Sequence, residues 1–347
     1  MNRYDYIDIS KGIGILMVVW AHIMLAGWTH QMIYAFHMPL FFLLSGMLFH
    51  REKYASFGGF LAHRAKRLLI PYVIYSVVTW VIWAVFRYLR HDEVDSYLMP
   101  LLQTFIARGS GAFFVHNSAL WFIPCLFLVE ILYFWICKLG KWGCFFICFA
   151  CAALSFGLGA IYGGDYWFTP YWNADAALIA LPFYCVGNML TREISHERIV
   201  QSVTNNKVWS VVLCFIMTIV LFWSSTSFGE CSMGSSSYGC QGWIFLLRAF
   251  LGCAWLICIS ILIVAIEWGD WLIHYLKWAG INSLDIMCLH IPVKGVCMIL
   301  VAMILKLTVD DISVSELYSF NAFVPTMIIV WLCIRIFPVG TITRKFL

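Results

Sequence analysis

The sequence predicts an all-α integral membrane protein of about ten transmembrane helices with both termini cytoplasmic, and three observations predict it. Hydrophobic residues make up 63% of the 347 and charged residues 12%, where soluble domains are near half apolar and a quarter charged. Apolar runs of the length a bilayer requires, about 20 residues each, recur from one end of the chain to the other. Lys and Arg fall on alternate sides of those runs. The mean hydropathy of +0.86 says the same: water is not this chain's main solvent.

The expected spans are 12–28, 32–49, 69–88, 119–137, 143–161, 174–191, 208–224, 243–266, 283–305 and 321–340. With the N-terminus inside, fifteen cations fall on the cytoplasmic side: Arg3, Lys11, Arg51, Lys53, Arg64, Lys66, Arg67, Lys138, Lys141, Arg192, Arg198, Lys207, Lys277, Arg344 and Lys345. Few, among them Arg87, Arg90 and Arg108, fall outside. That asymmetry is the positive-inside rule. The outer loops are acidic or aromatic instead, as in HDEVD, GGDYWFTPYWNAD and TVDDISVSEL. No Pro/Gly/Ser-rich linker divides the runs, so residues 1–347 read as a single membrane domain.

These features set several classes aside. The net charge of +4 is distributed by side of the membrane rather than gathered into a patch, which argues against nucleic acid. Most of the fourteen cysteines lie inside apolar runs, where Cys acts as a small hydrophobe. Cys231 and Cys240 share a polar outer loop, and a disulfide there is open. The N-terminal MNRYDYIDISK is too acidic for a cleavable signal. No HExxH and no GxSxG elbow occurs, so neither a metal site nor a serine nucleophile is expected. No internal repeat is evident, which weakens a transporter reading without removing it.

An ionisable side chain inside a span is a functional hypothesis by default. Lys11 and His22 are the first met. Eleven helical steps return to within about 20° of the start and rise about 16 Å, so both lie on one face. The glycines of KGIGIL leave that face open for close helix packing or for a ligand. His37, in FHMPLFFLLSG, is as far past the external turn as His22 is before it. Two neutral imidazoles at one depth suit general-base chemistry; the alternative is that each bonds a backbone carbonyl or joins two helices.

Between the second and third spans, Arg64 and Arg67 stand three apart on an amphipathic helix with Lys66 beside them. Two guanidiniums on one face can fork onto phosphate oxygens, and the alternative is contact with anionic lipid headgroups. Glu130, Arg248, Asp285, His290 and Lys294 also lie at depth. Asp285 is expected to pair with a cation, and Arg248 to snorkel or pair with Asp175. His290, Asn282 and Ser283 are candidates to line a substrate cavity, together with Trp121.

At these residues the sequence resembles membrane-bound acyltransferase family 3. The segments DISKGIGILMVVWAH, FHMPLFFLLSGMLF, RAKRLLIPY, ALWFIPCLFLVEILY, LPFYCVGNML and INSLDIMCLHIP stand in family order over nearly the whole chain. Among branches it looks most like the sugar O-acetylases related to fucose 4-O-acetylases, in which Lys replaces Arg in the first helix. Lys11 is then a point charge rather than a fork.

The resemblance implies a ten-helix core, acetyl-CoA as donor, no metal, and a multi-pass protein of a bacterial inner or plasma membrane. It places His22 in the catalytic position with Lys11 as its motif partner, and Arg64 and Arg67 near the coenzyme A site. An extended pantetheine arm matches the ~16 Å from Lys11 to His22. The acceptor implied is a hydroxyl of a sugar, cell-surface polysaccharide or lipid-linked precursor, on which the aromatic outer loops would stack. The rival class is a transporter or exporter of a surface glycan or small molecule. Oligomeric state, including a homo-oligomer, stays open.

Overall fold

The structure, a computed structural model, describes residues 4–109, 115–162, 171–238, 242–266, 269–337 and 339. Among these residues every regular element is helical; the sole strand-like feature is a bridge between Ser232 and Ser237. In chain order the helices are α1 (Asp5–Ile23), α2 (Trp28–Tyr34), α3 (His37–Met47), α4 (Phe57–Arg64), α5 (Ile70–Leu89), α6 (Met99–Gln103), α7 (Phe122–Ile136) and α8 (Gly140–Tyr162). There follow α9 (Ala174–Glu193), α10 (His196–Thr204), α11 (Lys207–Phe228), α12 (Gly242–Ala265), α13 (Asp270–Ile281), α14 (Ser283–Leu305), α15 (Val309–Val314) and α16 (Glu316–Ile336).

Eight stretches of the described residues are long and apolar enough to cross a membrane. One of them, Ser118–Ile161, holds both α7 and α8, which reverse at Gly140 with φ +72°. Two expected spans differ most from the structure, and the tenth, expected over 321–340, is found over Glu316–Ile336. The first helix begins at Asp5, not residue 12, and places Asp5 and Asp8 in its first turn, where acids complement the helix dipole. The second expected span, 32–49, is broken into α2 and α3 at Phe36, whose φ of −142° is not helical. Pro39 is the reason. Inside a continuous helix its ring would clash with the carbonyl four residues back, whereas near the start of α3 it costs nothing.

The outward residues of α5 show which solvent the fold expects. Val73, Val77, Val81 and Val85 are all exposed, while Tyr72, Tyr75, Ser76 and Thr79 are buried. Polar groups turned inward and aliphatic groups outward suit a helix in lipid.

Two compact units divide the chain. The first comprises the residues up to Phe49, Pro182–Met233 and Ser237–Ser283; the second comprises His50–Leu181, Gly234–Ser236 and the chain from Leu284. In the first, α1 packs on α13, α12 and α3. Backbone contact is direct where glycines allow it. A Cβ on Gly12 would strike the Leu276 carbonyl, and one on Gly280 the Asp8 carbonyl. Gly46 and Gly187 stand in the same relation to the carbonyls of Tyr184 and Leu43, with Asn188 Nδ2 donating to Phe49 O at 2.7 Å. The glycines of KGIGIL therefore serve helix packing.

The second unit is built on α7. Phe134 stacks on Phe60 at 4.5 Å between centroids and lies under the Arg51 guanidinium at 4.6 Å. The Tyr75 hydroxyl donates to Asp285 at 2.6 Å, and Asn117 Nδ2 donates to Cys288 O at 2.7 Å. Three expectations fall outside the described residues: the Cys231–Cys240 pairing at Cys240, the outer aromatics of residues 165–170, and the terminal cations Arg3, Arg344 and Lys345.

Candidate functional site

The first unit gathers three histidines around one tyrosine. α1 runs unbroken through Lys11 and His22, both half-buried, so the shared face expected from their spacing exists. His22 stands in the last turn of α1, and its Nδ1 lies 2.8 Å from Val18 O. After a reversal at Gly27, φ +96°, α2 brings His30 and Tyr34 back against it. His37 opens α3, with Nδ1 2.8 Å from Ile33 O. The Tyr34 ring joins the set: its centroid is 6.1 Å from His22, 4.1 Å from His30 in a stack, and 4.8 Å from His37 edge-on. His22 and His37 therefore both border the Tyr34 ring.

These contacts assign the tautomers. A carbonyl oxygen only accepts, so Nδ1 of His22 and of His37 must carry the proton. In the neutral ring the lone pair is then on Nε2, the atom a general base uses. The carbonyl-bonding alternative and the base reading are thus compatible: the bond to Val18 O is what sets the base.

His30 differs. It is 4% exposed, and Nδ1 lies within 3.0 Å of Ala21 O and 2.7 Å of Met24 O while Nε2 lies 3.3 Å from Glu230 Oε1. His30 and Glu230 were not among the residues singled out from the sequence, since His30 falls between the first two expected spans and Glu230 in a loop two hundred residues away. The available signal was two histidines eight residues apart on either side of a glycine turn.

The second unit holds the cation segment. α4 ends at Arg64 and passes into α5 through a π-turn, Ala65–Leu69. Such turns are rare and concentrate at functional sites. Lys66 and Arg67 are exposed on it. His63 lies within electrostatic range of both Arg64 and Arg67, so the segment is electropositive as expected. Arg64 itself is engaged: its Nη2 is 3.1 Å from Glu130 Oε1, with the two side chains 11% and 3% exposed. Exposed cations on a widened turn fit phosphate groups; Arg64 would hold its place through Glu130.

The remaining candidates belong to both units, Asn282 and Ser283 to the first and Trp121 and His290 to the second. Trp121 is buried against Gly109 and Gly234. Asn282 closes α13, its Nδ2 donating to Trp278 O at 2.8 Å, and Ser283 opens α14. His290 is fully buried, with Nδ1 2.8 Å from Met287 O. The expected pairing of Arg248 with Asp175 is replaced by another. Asp175 meets Arg108 at 3.5 Å and accepts from the Ser236 hydroxyl. Arg248 bonds Gly229 O, Cys231 Sγ and Ser225 Oγ. Asp175 Oδ2 belongs to a knot of turns in which Asn173 accepts from Gly109 N and donates to Gly234 O. Among the described residues no group of three His, Cys, Asp or Glu side chains is placed to hold a metal ion.

No functionally curated protein and no solved structure matches the chain. A family sequence model described as an acyltransferase domain matches residues 4–341. A match of that extent takes in Lys11, the three histidines and the cation turn alike, and it makes this helical membrane protein a member of acyltransferase family 3.

Proposed function

We propose that this protein is a membrane O-acetyltransferase, with acetyl-CoA as donor and a hydroxyl of a sugar or surface-glycan precursor as acceptor. The observation that carries it is His22: a half-buried imidazole whose Nδ1 bond to Val18 O fixes its basic nitrogen as Nε2, on a helix whose same face bears Lys11. The donor supplies an activated acyl carbon in a thioester. His22 Nε2 takes the proton of the acceptor hydroxyl as the oxygen attacks that carbon. The carbon–sulfur bond breaks, and the imidazolium returns the proton to the leaving thiolate, so the reaction is balanced without a further reagent. His37 lies beside Tyr34 as a second neutral base. Lys66 and Arg67 hold donor phosphates, and Arg64 supports them from its place on Glu130. Both termini are taken as cytoplasmic, which sets the cation turn on the side where the donor is made and the His22 end of α1 toward the acceptor.

The protein in lipid nanodiscs, given labelled acetyl-CoA and a panel of sugars, should release free coenzyme A thiol in proportion to acceptor. Label should pass to a hydroxyl ester. Absence of thiol release, labelled product and donor binding together would overturn the proposal, and transport of an unmodified glycan without thioester turnover would replace it.

A further inference from the structure

We infer that His30, oriented by Glu230, is a positioning residue for His22, and that the outer loop carrying Glu230 thereby sets the geometry of the base. The inference rests on His22 being the base, as proposed above. The last carbonyls of a helix have no partner within it. At the end of α1 two carbonyls, Ala21 O and that of the capping Met24, are taken by the single Nδ1–H of His30. They bracket His22 in sequence, so His30 holds the turn that presents His22 from both sides.

Two further contacts hold His30 itself, and a third holds the loop of its partner Glu230. Its ring stacks on Tyr34 at 4.1 Å, and Tyr34 in turn borders His22. Its Nε2 faces the Glu230 carboxylate at 3.3 Å. Because carbonyl oxygens only accept, Nδ1 carries a proton, and Nε2 is the atom turned to the carboxylate. The third contact fixes Glu230. It stands between Gly229, which ends α11 at φ +76°, and Cys231. The buried Arg248 donates to Gly229 O at 3.2 Å and to Cys231 Sγ at 3.5 Å, and its Nη2 donates to Ser225 Oγ at 3.3 Å. A loop fastened on both sides of Glu230 thus orients His30, and His30 orients the His22 turn. Glu230 is 54% exposed at its side chain, so this chain of contacts begins at the surface.

The test uses the whole protein in nanodiscs. His30→Phe keeps a ring to stack on Tyr34 but loses every bond. It should lower kcat by roughly 10- to 100-fold, as a small misplacement of a reacting group does, with donor KM unchanged. His30→Asn, whose side-chain amide N–H can replace Nδ1–H, should recover most of kcat; a capping role without catalytic consequence would not give that split. Glu230→Ala should fall between, Glu230→Gln should stay near wild type, and Glu230→Ala added to His30→Phe should cost nothing more. Hydrogen exchange of the peptide over Val18–Leu25 should rise in His30→Phe and not in His30→Asn. An active wild type with His30→Phe at full kcat, or with unchanged exchange over that peptide, would overturn the inference. An inactive wild type would instead sink the proposed function, and the exchange measurement would still decide whether His30 holds this turn.

Discussion

Arg64 Nη2 and Glu130 Oε1 stand 3.1 Å apart, joining the end of α4 to the middle of α7. Both side chains are almost removed from solvent, and a carboxylate stripped from such a pair leaves a guanidinium that has lost its counter-charge. Breaking a buried pair on one side costs about 3–5 kcal/mol. Glu130→Ala should therefore lower the thermal midpoint clearly, and Glu130→Gln, which keeps an acceptor oxygen, should lower it less. Tryptophan fluorescence on heating in detergent measures both. A midpoint unchanged in Glu130→Ala would show that the pair contributes nothing to stability.

Arg67 is exposed one π-turn away from that pair, and its contribution should be to donor capture. A charged hydrogen bond to phosphate is worth about 1.5–3 kcal/mol, or roughly 10- to 100-fold in affinity. Arg67→Ala should raise donor KM by about that factor at constant kcat. Added salt should weaken the wild type more than the variant, because screening acts on the charge that was removed. Equal salt dependence in the two proteins would assign Arg67 to lipid headgroups instead.

The helical membrane architecture was legible because its signals are local. Apolar length and the placement of Lys and Arg need no knowledge of tertiary contacts. The shared face of Lys11 and His22 was legible for the same reason, since one helix carries both. The break at Phe36 was missed because hydropathy does not register backbone: 32–49 is uniformly apolar, and only Pro39 signalled that the helix restarts. The partners of the buried charges were missed for a different reason. Arg248 and Asp175 match in sign and expected depth, but a guanidinium is also satisfied by carbonyl and hydroxyl oxygens, as Gly229 O and Ser225 Oγ show. Glu230 and His30 are two hundred residues apart, and no periodicity links a loop to a helix end.

The reciprocal approach of α1 and α13 gives a prediction independent of catalysis. Gly12 and Gly280 each leave no room for a Cβ, and what it would meet is backbone rather than a yielding side chain. Overpacking of this kind costs about 1–3 kcal/mol, occasionally more. Gly12→Ala and Gly280→Ala should each lower the thermal midpoint, and Gly58→Ala, where nothing lies within 4 Å, should not. The double variant Gly12→Ala/Gly280→Ala should cost less than the sum of its singles, since one separation of the two helices relieves both clashes. Strict additivity would mean that the two sites relax independently.

His22 carries the sharpest prediction about chemistry. A positioned general base contributes about 10²- to 10⁴-fold, so His22→Ala should lower kcat by that factor with expression and thermal midpoint preserved. The half-buried ring bonds its own helix at Val18 O, and losing that bond leaves the carbonyl no worse off than others near a helix end. Because the base acts as neutral imidazole, kcat/KM of the wild type should fall toward acid pH, and residual turnover in His22→Ala should lack that limb. Hydroxylamine added during a single turnover without acceptor separates two routes through Nε2. Capture of acetyl from the wild type, absent in His22→Ala, would show that the ring itself accepts the acyl group, whereas capture from neither leaves direct attack by the acceptor oxygen. Full activity in His22→Ala would remove His22 from the mechanism while leaving family membership untouched, because that rests on residues 4–341 as a whole.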